Sequence, residues 1–144
     1  MVPERGARPQ DLVATACELF GRERVIDWCA HLLSGRAGDA DAQWPDISWL
    51  GGTIGWPDYW PRVWGARGLL HAGEPHDPRV VLDALGDPHW RVREMVLKVI
   101  RAHDIPDPRG LIDRVTDDPV ARVRRQAWRT LGVPGPPQER RPAE

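Results

Sequence analysis

The chain has 144 residues, a mass of 16.3 kDa and a formal net charge of −1, with 41% apolar and 28% charged residues. A chain of this length buries about 70% of the surface its unfolded form exposes, enough for one core. The charge excludes a strongly basic footprint over the whole surface, and no apolar run approaches the ~18 residues of a membrane span.

From the N-terminus, MVPERGARPQ lacks the apolar stretch of a secretory signal, so a cytoplasmic location without a membrane partner is expected, and residues 1–8 are expected to be disordered. Residues 9–20 and 22–34 predict two amphipathic helices. Leu12, Ala16, Leu19 and Phe20 line one, and Val25, Trp28, Cys29 and Leu32 line the other. Cys17 and Cys29 lack C-x-x-C spacing and read as reduced, buried thiols. His31 lies inside the second helix, and His71, His76, His89 and His103 fall near helix ends or loops; none has a partner at metal-ligand spacing. No metal and no cofactor are expected.

Residues 44–64, WPDISWLGGTIGWPDYWPRVW, hold Trp44, Trp49, Trp56, Trp60 and Trp64, five of the eight tryptophans. Gly51, Gly52 and Gly55 predict turns here, and two Trp-Pro-Asp triplets mark helix or turn entries. Packed inward, the indoles are core that closes one end of a helical stack. Turned outward, they are a platform for a ring or a cation.

An internal repeat follows. The segment from Asp77 to His103 overlays Asp107 to Gly132 with one inserted residue, so the unit recurs after about thirty positions. Asp77-Pro78, Asp87-Pro88, Asp107-Pro108 and Asp118-Pro119 each put an N-capping carboxylate before a proline suited to a first helical turn, predicting four short helices. Val92, Met95, Val96, Val99 and Ile100 form one apolar stripe, matched by Val120, Val123, Ala127 and Leu131. Val80, Val81 and Leu85, with Leu111, Ile112 and Val115, mark the shorter first helices. Residues 57–73 read as a degenerate earlier copy, with Asp58 standing five residues before Val63 as Asp87 does before Val92. The domain is expected over 9–132, and the proline-rich run 133–144 as a disordered tail.

The pattern D-x-x-x-R-V-R, followed by small or apolar residues four and eight positions after the Val, resembles the short form of the HEAT repeat over residues 57–132. The resemblance implies an all-α, short α-solenoid of helical hairpins with an irregular Trp-rich connection. It also implies junction arginines, Arg93 and Arg124, bridging to aspartates such as Asp87 and Asp118. A narrower likeness runs through H89WRVREMVLKVI and D117DPVARVRRQAWRTL, similar to HEAT-repeat bacterial DNA alkylation repair glycosylases, in which Trp side chains stand near a catalytic carboxylate in a W-x-x-x-D arrangement. Here Trp90 and Glu94 give W-x-x-x-E.

Between residues 89 and 130, ten basic side chains face six acidic ones. Solvated helix faces and junction pairs account for these charges, and so does a groove for phosphate or an acidic partner. Three function classes stay open. The leading expectation is a non-catalytic module binding a protein or peptide on a concave face, with Trp56, Trp60, Trp64, Trp90, Arg93, Arg124 and Arg125 as contact candidates. The alternatives are DNA binding and a small biosynthetic enzyme with a Trp-lined pocket. Glu94 is the one catalytic candidate, although Lys98 stands where it would form an i,i+4 pair with it.

Overall fold

A computed structural model describes residues 2–139. Every helix and turn in it is helical in type, and no strand occurs among the described residues. The helices are α1 (Pro9–Phe20), α2 (Arg22–Leu33), α3 (Trp60–Ala72), α4 (Arg79–Asp83), α5 (Trp90–His103), α6 (Leu111–Val115) and α7 (Ala121–Leu131). Single 3-10 turns fall at Ile47–Leu50, Ala84–Gly86 and Pro137–Glu139. No helix among the described residues is long and apolar enough to cross a membrane.

The long helices pack in series, α2 on α3, α3 on α5 and α5 on α7; short α4 and its 3-10 extension cover α5, and α6 covers α7. Two glycines on α3 allow the closest approach. A Cβ at Gly65 would lie 2.7 Å from the Cys29 carbonyl oxygen, and one at Gly68 would run into Cys29 Sγ. Because α1 and α2 pack over α3, the expected helix-stack end is not at Trp60 and Trp64. The core is built mainly from the predicted faces: Val25, Trp28, Cys29 and Leu32 on α2, and Val92, Val96, Val99 and Ile100 on α5, all at most 3% exposed. Each such aliphatic side chain adds about 1.5–3 kcal/mol relative to exposure. Leu19 and Leu131, expected on apolar faces, are instead 47% and 39% exposed, and Trp128 takes the inward position on α7.

All four Asp-Pro pairs precede helices, as expected. The carboxylates act just ahead of the helix rather than at the N-cap itself. Asp87 accepts the His89 N–H and Asp118 the Val120 N–H, each at 2.9 Å, in turns that hand the chain to α5 and α7. Asp107 reaches further, accepting the Leu111 and Ile112 N–H groups at 2.9 Å.

The junctions follow a rule. Arg62 bonds Asp87 through Nε and Nη2 at 2.7 and 3.2 Å, and Arg93 bonds Asp118 in the same way at 2.7 and 3.1 Å, both across 25 residues. Arg124 uses the same two donors on Glu139, at 2.9 Å each, across 15 residues. Arg93 therefore bridges to the expected Asp118, whereas Arg124 takes a glutamate in the C-terminal run. Since Arg62, Arg93 and Arg124 stand 31 residues apart, Pro61, and not Val63, occupies the place of Val92 and Val123. The register expected from Asp58 therefore shifts by two residues; Tyr59, at the N-cap of α3, makes no side-chain cap hydrogen bond.

Residues 133–139, placed by composition in a disordered tail, lie over α7 in the structure. The Val133 N–H donates to the Trp128 carbonyl at 2.9 Å, and Gly135 lies so close to the indole that no side chain fits between. Residues 140–144, the rest of the expected tail, lie outside the described residues.

Candidate functional site

The five clustered tryptophans divide. Trp49 and Trp64 are 5% and 2% exposed and belong to the core, Trp44 and Trp60 are half-buried, and Trp56 is 51% exposed. Trp64, a contact candidate from sequence, is thus a core residue. It is held under the Gly51-Gly52 turn, where a Cβ on Gly52 would sit 2.5 Å from its ring.

From Trp64 an aromatic row runs outward and across the N-terminal ends of α3 and α5. Trp60 stacks on Trp64 with centroids 6.1 Å apart, and Trp56 meets both, at 5.5 and 5.9 Å. Tyr59 contacts Trp60 at 5.3 Å and stacks on His89 at 3.5 Å. Arginines interleave with the rings. The Arg91 guanidinium lies over Trp60 at 5.2 Å and over Trp90 at 4.5 Å, and that of Arg122 over Trp90 at 5.3 Å. Contacts of this kind use the guanidinium face and leave the in-plane N–H donors free for a carboxylate or phosphate.

At α7 the row enters a cleft of about 390 Å³ lined by Glu94, Arg122, Arg125, Trp128, Arg129 and Glu139, among others. Glu94 is 7% exposed, and its carboxylate accepts from Arg122 Nε at 2.9 Å. That pairing replaces the expected one with Lys98: Arg122 is brought in by the packing of α7 on α5, whereas Lys98 lies one turn along α5 itself. Arg91, Arg125 and Arg129 have no carboxylate partner among the described residues, and Arg125 Nε is buried without an acceptor. Arg93 and Arg124, contact candidates from sequence, are instead occupied by the junction pairs.

His89 ties the row to the backbone. Its Nδ1 accepts the Arg91 N–H at 3.2 Å, capping α5. Burial, then the neighbouring Arg91, holds its pKa below the usual imidazole range, against the opposing pull of Asp87.

A second hollow, of about 500 Å³, lies between α2 and α4. Its charges are largely matched, Arg62 with Asp87 and Arg79 with Asp77, so it offers a ligand less than the row does. Among the described residues no group of three or more His, Cys, Asp or Glu side chains could hold a metal ion.

The structure therefore joins Trp56, Trp60, Trp90, Arg125 and Glu94 on one surface and adds Arg91, Arg122, Tyr59 and His89, which sequence did not single out. Their signal was present as spacing: Trp60, Arg91 and Arg122 are 31 residues apart, as are the junction arginines. Fold and site together define an all-α protein with an aromatic–arginine surface. No family model, no curated protein and no solved structure matches the chain.

Proposed function

We propose that the chain is a non-catalytic, HEAT-like helical-repeat module, a short α-solenoid that binds a protein or peptide partner on the surface of α3, α5 and α7. One observation carries the proposal: an aromatic–arginine row opens into a cleft while three of its arginines keep their charges unmatched among the described residues. Half-exposed indoles and arginines are the side chains that dominate binding energy at protein interfaces. The 31-residue ladder of junction pairs supports the repeat assignment. Glu94, the catalytic candidate, is already engaged by Arg122.

A peptide array probed with wild type and with Trp56→Ala/Arg91→Gln tests the proposal. Binding should vanish in the variant while its far-UV circular dichroism is unchanged. Turnover of a substrate that is lost in Glu94→Gln would overturn it.

DNA binding is the second reading, favoured by the same unmatched arginines and by the likeness to HEAT-repeat alkylation repair glycosylases. Two or three phosphate contacts predict a log–log salt slope of about −2 to −3. The formal net charge of −1 and the small number of unmatched arginines among the described residues weigh against a duplex.

A further inference from the structure

Taking the interaction-module reading as its basis, we propose that the partner is an extended acidic segment. Two of its carboxylates, three residues apart, bracket the Glu94–Arg122 pair, one on Arg91 and the other on Arg125.

Charge complementarity selects this occupant. Of the arginines along the row and cleft, Arg122 and Arg124 already hold carboxylates, at 2.9 Å each. Arg91 and Arg125 flank them and hold none among the described residues. A cationic or neutral segment would leave both charges unmatched, whereas carboxylates pair with the planar donor fork of arginine. Trp60 and Trp90 shield the Arg91 faces, which strengthens a contact made at its edge. Arg125 has a further reason to bind, because its Nε is buried without an acceptor among the described residues. Each bidentate junction pair in this chain uses Nε together with Nη2. Turning the Arg125 side chain to a carboxylate would complete the same geometry.

The chain itself delivers one carboxylate to this cleft. Pro137–Glu139, a single 3-10 turn at the same cleft, delivers the Glu139 carboxylate to Arg124, while Arg125 holds no carboxylate among the described residues. The spacing follows from helix packing. Adjacent helices lie roughly 8–10 Å apart, and Arg125 stands about one turn further along α7 than the Arg91-equivalent Arg122, adding about 4.5 Å along the axis. The resulting separation of about 9–11 Å corresponds to three residues of extended polyproline II chain at ~3.1 Å each, whose three-residue period returns both side chains to one face.

The test uses the full chain and fluorescein-labelled short peptides of Gly, Ser and Leu carrying two glutamates. One series spaces them by three residues, a second places them adjacent, and a third replaces both with glutamine; a labelled short DNA duplex completes the set. By fluorescence anisotropy the spaced peptides should bind roughly tenfold tighter than the glutamine peptide and severalfold tighter than the adjacent pair. Arg91→Gln and Arg125→Gln should each weaken the spaced peptides about fivefold or more without changing the glutamine peptide. Arg79→Gln, on α4 and outside the row, should change nothing. Equal binding of glutamate and glutamine peptides, lost in Trp56→Ala, would overturn the acidic partner and leave the interaction module standing. Binding of the duplex alone would overturn both, and binding of nothing would overturn the acidic partner.

Discussion

Arg93 closes on Asp118 through two hydrogen bonds of 2.7 and 3.1 Å, with side chains only 13% and 4% exposed, and so locks α5 to the turn that starts α7. Asp118 also holds the Val120 N–H, and Arg93 the Asp87 carbonyl at 2.8 Å. Removing one partner strands a buried charge. Asp118→Ala should therefore cost about 3–5 kcal/mol, read from the urea unfolding midpoint. Glu139→Gln, at a pair about one-fifth exposed on each side, should cost about 1 kcal/mol. The double replacement Arg93→Met/Asp118→Leu should recover part of the loss, since no uncompensated charge remains.

Gly65 and Gly68 should resist the substitution that helix propensity favours. Alanine normally gains about 1 kcal/mol over glycine inside a helix. Here the new methyl at Gly68 meets Cys29 Sγ, and that at Gly65 meets the Cys29 carbonyl. Both variants should lose about 1–3 kcal/mol through overpacking. Cys29→Ala removes the sulfur and should rescue Gly68→Ala but not Gly65→Ala, whose obstacle is backbone. Thermal unfolding of the two double variants distinguishes these outcomes.

The tryptophans should separate by position. Trp64→Ala, deep in the core, should cost about 3–5 kcal/mol, whereas Trp56→Ala should change stability by under about 1 kcal/mol. Trp56, at 51% exposure, should supply the most accessible emission. Iodide quenching of Trp56→Phe should show a clearly smaller quenchable fraction than wild type. An unchanged fraction would mean that the ring is covered.

His89 makes the fold sensitive to mild acid. Its folded pKa lies below the unfolded value of about 6.5, so the folded state disfavours the proton. The corresponding stability is complete above the unfolded pKa and is lost as pH falls through the folded one. Protonation also removes the Nδ1 acceptor for the Arg91 N–H. The urea midpoint should fall between about pH 7.5 and 5.5. His89→Asn, which keeps an N-cap acceptor, should flatten that slope.

Much of the architecture was legible in the primary structure because local rules govern it. Asp-Pro punctuation marked the starts of α4, α5, α6 and α7, and apolar periodicity marked the buried faces of α2 and α5, since caps and amphipathic stripes act within a few residues. The spacing of Arg62, Arg93 and Arg124 carried the junction ladder. Most other contacts across helices were not legible. That Glu94 would meet Arg122 rather than Lys98, that Arg124 would find Glu139, and that Trp64 would turn inward while Trp56 stayed exposed all depend on how α3, α5 and α7 stack. Side chains 15 to 28 residues apart were brought within hydrogen-bond reach by that stacking, and charge and burial at each site follow from neighbours that no local pattern encodes.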